Sequence, residues 1–591
     1  MFNTSELEDV SFVEILKTFA YGFKLDVSTT CYIGFFSMLF FIVSLWIRSP
    51  KFLKITLNIY TLILIASISL LIIGDAETFK SWAFRLDSNV LQYIITPKAA
   101  SASLTTLRLM FLIFTYLMFT TAMFLLYYLI MWKKSGEKQC RRQCLYTFIY
   151  LIFGGLLIIP IRGGIGVAPI NVGAVYFSDK MFLNQTAINV AWNFGNSMLS
   201  KDMNYEQFNF FDKEDCDEYF SELMVSDELL MVNDEKLINQ DIQHIIIIVL
   251  ESFSGNAIGA VGGEPKITPK LNEWSKKGIL FDNFYASSDR SDKGLVSIFS
   301  SVPPLLSYSL MKNPQKSQHL NSFVAELGAN GYKSSFYYGG DVNFANMNSY
   351  LKNAGFTNIY SQNNLKLNCK TDSKWGYHDE CMFNFLYNKI ISDNEKSIHA
   401  LFTLSSHEPF ETPGGKPFDN NSESNKMRNA YFYTDSCLND FLNKLQSSPK
   451  WEKSLIILVA DHSTRFPGNV DVWDLPKFKT FMLWLGGAIN VEPFIYSKTA
   501  DQLDIGATLL SQLKILHHNF IFSEDLFSKQ SPCAFYSFRD GFGFIKDNQC
   551  YIYDTNKQCP IVSNIDSTDV EKYAKTFLQK LAEYYKSIEK Y

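Results

Sequence analysis

Four polar stations between residues 250 and 462 carry residue types that could hold a divalent metal beside a nucleophile. Glu251 closes the apolar run 245–250; Ser291 sits in Arg290-Ser291-Asp292-Lys293-Gly294; His407 follows the segment 401–406; and Asp461-His462 follows the apolar run 455–460. Three of the four stand where a short apolar run ends. Carboxylate oxygen and imidazole nitrogen are divalent-metal ligands, and a hydroxyl among them is a candidate nucleophile. A carboxylate at the end of an apolar strand is costly to bury alone, and a metal ion offsets that cost. Plainer roles exist for each: Glu251 beside a helix cap made by Ser252 and Ser254, Ser291 as a helix start, His407 as a structural histidine.

Residues at the ends of apolar runs converge when those runs are strands of one sheet, because open α/β sheets bind ligands at the carboxyl ends of their strands. From about residue 241, short apolar runs alternate with helical patterns. That alternation marks a mostly parallel central sheet with helices on both faces. Thr268-Pro269 starts a helix that Gly278 stops. Residues 333–338 and 480–485 read as strands, 429–445 as a helix by apolar spacing, and 411–427 as a polar surface loop. After about 520 the pattern is mixed, with strand-like 541–544 and 551–553 and an amphipathic helix over 569–588.

A chain of 591 residues is too long for one hydrophobic core. The net charge of -5 comes without an extended basic stripe, so no nucleic-acid partner is expected. The 51 Phe and 31 Tyr raise the apolar share to 47%, and the excess lies near the N-terminus. Apolar stretches at about 31–47, 55–73, 109–132 and 145–160 approach the roughly 20 residues that cross a membrane. Arg48, Lys51 and Lys54 follow the first stretch; Lys133, Lys134, Lys138, Arg141 and Arg142 follow the third. Basic loops stay in the cytoplasm, so 74–107 and everything after 160 should face outward. The N-terminal 28 residues then also face outward without a signal-peptide pattern. Either a further span upstream or a first span that inserts unaided would accommodate them. The division read from these patterns is a transmembrane region 1–165, a juxtamembrane connector 166–240, a catalytic-type domain 241–520 and a C-terminal subdomain 521–591. Cys369 with Cys381, and Cys550 with Cys559, are close enough in sequence to pair in an oxidising exterior, or to remain unpaired structural thiols.

The order Leu-Glu-Ser-Phe (250–253), Ser-Asp-Lys-Gly (291–294), Ser-His-Glu-Pro-Phe (406–410) and Ala-Asp-His (460–462) resembles the lipoteichoic-acid synthase family. These are membrane-anchored members of the alkaline phosphatase/sulfatase superfamily. Further likeness lies in 268–272, 278–285 and 339–347. The resemblance implies an α-helical transmembrane bundle followed by an extracytoplasmic α/β sulfatase/alkaline-phosphatase-like domain. It also implies a bacterial cytoplasmic (inner) membrane location, with that domain facing the periplasm or exterior. Glu251, Asp461 and His462 match the family's ligands for one divalent metal, Mn2+ or Mg2+. Ser291 matches the nucleophile, itself a metal ligand, where the best-known members have Thr. His407 matches a histidine that contacts the transferred group or helps the leaving group. Where the family has a His-containing segment followed by Trp and Arg, this chain reads Tyr338-Gly339-Gly340 with Ala345 and Met347. That departure makes Tyr338, Asp341, Asn343 and Asn346 the candidate head-group contacts.

The implied chemistry is a double displacement at phosphorus: the metal-activated Ser291 hydroxyl attacks a phospholipid donor, leaving a phosphoserine diester. Arg290 or Lys293 would stabilise charge on the phosphoryl oxygens. A phosphoglycerol- or phosphoethanolamine-type group then passes to an envelope glycan, glycolipid or glycerol-phosphate acceptor. A sulfatase is the nearest alternative, but Ser291-Asp292-Lys293-Gly294-Leu295 lacks the Pro and Arg that precede formylglycine formation. A phosphodiesterase using water, and a catalytically silent membrane scaffold, complete the alternatives. In Trp375-Gly376-Tyr377-His378-Asp379-Glu380, His378 and Asp379 could touch substrate or a second metal, or simply form a loop rim.

Overall fold

The computed structural model describes residues 10–589 except 48–49, 83–84, 87, 92–105, 133–141, 167–168, 179, 199–204, 225–236, 370–372, 374, 465–466, 468–469, 472, 529–531, 540, 556 and 564–567. The basic loop residues Arg48, Lys133, Lys134, Lys138 and Arg141 lie outside the described set. The chain divides into two compact units, residues 1–203 and 204–591.

Among the described residues, the first unit has four helices long and apolar enough to cross a membrane: α1 (Phe12–Trp46), α2 (Pro50–Trp82), α3 (Thr106–Trp132) and α4 (Gln143–Arg162). Helix α1 begins 19 residues before the apolar stretch at 31, because Ser11 and Glu14 close a capping box at its start. Its first half, which carries Glu14, Lys17, Lys24 and Asp26 among apolar residues, therefore continues the helix on the N-terminal side of that stretch. Helices α1 and α4 pack closely: the Ser28 hydroxyl donates to the Ile161 carbonyl at 2.8 Å. A side chain at Gly154 would collide with Met38, so this glycine serves the packing. Outward-facing Leu117, Phe114, Leu151 and Phe148 are more than half exposed, an apolar surface that lipid would cover.

The second unit holds a nine-stranded sheet: β1 (His244–Leu250), β2 (Ile279–Tyr285), β3 (Lys333–Tyr338), β4 (Asn358–Ser361), β5 (Ser397–Phe402), β6 (Ser454–Ala460), β7 (Lys479–Leu485), β8 (Phe494–Tyr496) and β9 (Ala500–Asp501). The order is β4-β3-β5-β1-β6-β7-β2-β8, with β9 also paired to β2. Strand β1 lies parallel between β5 and β6 and is buried along its whole length, which is why it reads as unbroken Ile and Val. Strand β7 runs antiparallel to both β6 and β2, so β2 points the same way as β1. The carboxyl ends of β1, β2, β3, β5 and β6 therefore share one edge. Helices α5 (Ser291–Ser300), α6 (Asp379–Ser392), α7 (Glu423–Gln446) and α8 (Asp504–Gln512) connect the strands. The polar stretch 411–427 is a loop only as far as Ser422, whose side chain caps α7.

A second, antiparallel sheet follows: β10 (Cys533–Phe538), β11 (Gly541–Lys546), β12 (Gln549–Asp554) and β13 (Cys559–Ser563). Helix α9 (Thr568–Ile588) packs on it, with Phe577 stacked against Phe535 at 4.7 Å. Cys369 and Cys381 form a disulfide, whereas Cys550 and Cys559 are free thiols. The hairpin register explains the second outcome: Cys559 pairs with Asp554, four positions along the strand from Cys550.

Candidate active site

The shared sheet edge gathers Glu251, Ser252, Ser291, Asp461 and His462. Glu251 is 3% exposed, held by its N–H donating to Thr403 Oγ1 (2.9 Å) and its carbonyl accepting from Ser406 Oγ (2.6 Å). Ser252 adopts a left-handed φ of +61°, rare for a side-chain-bearing residue and a place where backbone strain is stored. In that conformation its N–H donates to Asp461 Oδ1 (2.7 Å), its hydroxyl donates to Glu251 Oε1 (2.7 Å), and Tyr431 donates to its carbonyl. Asp461 is fully buried, and its carbonyl and that of Ala460 accept from the Gln502 amide at 2.7 and 2.6 Å. Gly294 on α5 presses on the same Asp461 carbonyl so closely that a Cβ there would lie 1.9 Å from it. His462 Nδ1 faces the Ser463 carbonyl at 3.0 Å, leaving Nε2 3.5 Å from Asp461 Oδ2 and 3.8 Å from Glu251 Oε1.

One ligand atom from each of Glu251, Asp461 and His462 falls within 4.8 Å of the others. Burial first, and the nearby Asp461 charge second, push the Glu251 carboxyl up to about 8. Asp461 Oδ2 is buried without a hydrogen-bond partner. Two carboxylates crowded in a buried site with an orphaned oxygen and an imidazole nitrogen are what a divalent cation fits. Ser291 Oγ donates to Glu251 Oε2 at 3.2 Å, which brings the hydroxyl to the same group.

Ser291 opens α5 because Arg290 before it is extended (φ -150°, ψ 150°), so the serine stands at the helix N-terminus, where backbone N–H groups favour an anion. Arg290 is exposed. Lys293 is 5% exposed and ion-paired with Asp289. Burial alone would raise Asp289; Lys293, with Lys477 and His462, holds it below the usual carboxylate range instead. Lys293 is therefore engaged within the protein.

The remaining candidates make their own contacts, and of them Tyr338 feels the charges of Glu251 and Asp461. His407 is half-buried in the 404–410 turn, its Nδ1 2.8 Å from the Glu408 carbonyl and its ring 4.3 Å from that of Trp375. Tyr338 is buried against Phe402 at 5.2 Å; burial, then the charges of Glu251, Asp341 and Asp461, drive its hydroxyl far above its ordinary range. Asp341 Oδ1 accepts from the Asn343 N–H and from Asn363 Nδ2, each at 2.9 Å. Asn346 gives its amide to the Lys312 carbonyl at 2.8 Å, which turns that donor away from a head group. Asp379 is a structural anchor: it accepts from the Leu404 and Ser405 N–H groups and from Thr434, so it meets neither substrate nor second metal through those bonds. The roles of Thr403, Ser406 and Gln502 arise from sheet order, which residue type does not announce; of the three, Ser406 lies in the segment 406–410 that carries the family resemblance.

The sulfatase family model matches residues 243–515. A lipoteichoic acid synthase-like protein of Bacillus subtilis is 24% identical over 53% of this chain and 54% of its own length. Phosphoglycerol transferase I of Salmonella choleraesuis is 24% identical over 34% of this chain and 28% of its own length. The chain spans about half the length of the first Bacillus relatives it matches. An alkaline phosphatase superfamily protein from Vibrio parahaemolyticus shares the fold, with a TM-score of 0.57 and 23% identity over 65% of this chain and 98% of that one. The lipoteichoic acid synthase LtaP of Listeria monocytogenes shares it with a TM-score of 0.50 and 20% identity, over 60% of this chain and 94% of that one. Residues 243–515 thus match the sulfatase family model, and the chain is similar to lipoteichoic acid synthases and phosphoglycerol transferases.

Proposed function

We propose that this chain is a multi-pass enzyme of a bacterial cytoplasmic membrane. It moves a phosphoglycerol- or phosphoethanolamine-type group from a phospholipid to an envelope glycan, glycolipid or glycerol-phosphate acceptor. The catalytic domain, 241–520, faces the exterior. The observation that carries this reading is the Ser291 hydroxyl, hydrogen-bonded to Glu251 beside Asp461 and His462 on a sulfatase-family domain. Four membrane-length helices in the same chain would keep that domain near lipid donors, raising their effective concentration.

Glu251, Asp461 and His462, joined by Ser291, would hold one Mn2+ or Mg2+, which when bound lowers the serine pKa and offsets charge at phosphorus. Ser291 Oγ, its proton released to solvent, forms the bond to phosphorus while the bond from phosphorus to the diacylglycerol oxygen breaks. His407 delivers a proton to that departing oxygen. Arg290, exposed at the start of α5, supplies positive charge to the phosphoryl oxygens more readily than Lys293, which Asp289 already holds. An acceptor hydroxyl then takes the group and restores the serine. Tyr338, Asp341 and Asn343 line the approach.

The test is turnover of phosphatidylglycerol and phosphatidylethanolamine vesicles by the full chain with Mn2+. Metal-dependent release of diacylglycerol, lost on chelation, supports the reading, and the preferred lipid names the head group. Release of free glycerol phosphate in the presence of acceptor would favour the water-using phosphodiesterase instead. No diacylglycerol from any lipid by metal-loaded protein would leave the silent scaffold.

A further inference from the structure

We propose that Trp375, which lies between the disulfide-bonded Cys369 and Cys381 in sequence, is a positioning residue that holds the imidazole ring of His407, while the Glu408 carbonyl that both rings address sets its tautomer. The catalytic consequence rests on the transferase reading above; the positioning itself does not.

A single carbonyl organises the contact. Glu408 O lies 2.8 Å from His407 Nδ1 and accepts from Trp375 Nε1 at 2.6 Å. A carbonyl can only accept and an indole N–H can only donate. His407 Nδ1 must therefore carry its hydrogen toward Glu408, which leaves Nε2 as the proposed proton-exchanging nitrogen. The indole ring lies 4.3 Å from the imidazole and limits its rotation about χ2, a torsion that is otherwise broad.

Trp375 is in turn held from several sides. Phe344 meets it edge-on at 6.1 Å. Gly376, at φ +137°, brings the loop so close to Gly339 that a Cβ would sit 2.1 Å from the Gly339 carbonyl, and the next N–H, of Tyr377, donates to that carbonyl at 2.9 Å. The Tyr377 hydroxyl donates to the Leu365 carbonyl at 3.1 Å. The disulfide closes the loop 12 residues apart in sequence. These contacts hold the indole beside the His407 ring. Trp375 is only half-buried, so its replacement leaves the core intact.

The experiment measures ethoxycarbonylation of histidines by diethyl pyrocarbonate in the full chain at fixed pH, read by peptide mass spectrometry. His517 and His518 serve as internal references. Trp375→Ala should make His407 react several-fold faster, and Trp375→Phe should fall between that and the unsubstituted chain. Reducing the disulfide, or Cys369→Ser, should move His407 the same way. Per metal-loaded molecule, Trp375→Ala should lower kcat by roughly ten- to a hundredfold with KM for lipid little changed, the scale expected of a displaced catalytic group. Equal His407 reactivity in the unsubstituted chain and Trp375→Ala overturns the proposal. Absent lipid turnover in every variant would count against the transferase reading, while His407 reactivity would still decide the positioning claim.

Discussion

At the corner where Glu251, Asp461 and His462 meet, the chain is tied down from distant segments: Thr403 and Ser406 hold Glu251, and Gln502 holds Asp461. The rim at 338–347 is tied mainly to nearby loops. Asp341 binds Asn343 and Asn363, and Ala345 and Asn346 keep left-handed φ values of +53° and +63°. The corner takes its geometry from a buried parallel sheet, the rim from exchangeable loop contacts. On the proposed function, the contrast assigns bond-making to the sheet edge and head-group choice to the loops.

The strongest challenge to this division is Ser291→Ala. Loss of the proposed nucleophile should cut diacylglycerol release at least about 10³-fold, the scale seen when a covalent catalyst is removed. Fold and metal content should stay intact, as circular dichroism and elemental analysis would report.

Next comes Gln502→Leu, which tests how firmly the corner is held. The substitution leaves the Ala460 and Asp461 carbonyls and the Ser287 N–H buried without partners. Each such group costs about 1–3 kcal/mol, so denaturant unfolding should show a loss of about 3 kcal/mol or more, together with weaker metal retention. A chain with unchanged stability would show that the corner does not depend on this amide.

At the rim, Asp341→Asn should change KM or lipid preference by up to about tenfold, in keeping with one or two altered polar contacts. Metal retention should not move. If it falls, corner and rim are not separable.

A separate effect concerns pH. Burial pushes the Asp501 carboxyl from 3.8 up to about 8, and Glu524 beside it up to about 7. Because the folded state binds these protons more tightly than the unfolded chain, the stabilisation is complete below about pH 4 and fades as pH rises through about 8. Tm should fall over that window, and Asp501→Asn should flatten the slope. A slope of unchanged steepness in Asp501→Asn would assign the effect to other groups.

Much of the fold was legible because its central strands are buried on both faces: the runs 245–250 and 455–460 announce themselves, and a polar residue directly after each is conspicuous. The same logic exposed Glu251, Asp461 and His462. Gln502 was not legible, since its role depends on β7 separating β6 from β2, so that an amide after β9 must span the gap. The free thiols of Cys550 and Cys559 show the converse limit: nearness in sequence is no guide once a hairpin register sets the partners. Tyr338, Asp341 and Asn346 were found as a group from their departure from the family pattern, yet the structure gives them different neighbours, because loop backbone conformation is not written in residue type.

The most direct test of the central claim is mass spectrometry of the full chain after incubation with Mn2+ and phospholipid, in the absence of acceptor. The account predicts a head-group phosphate adduct on the peptide containing Ser291, absent from Ser291→Ala and after chelation. Metal-loaded, lipid-consuming protein that never carries an adduct on Ser291 would contradict it.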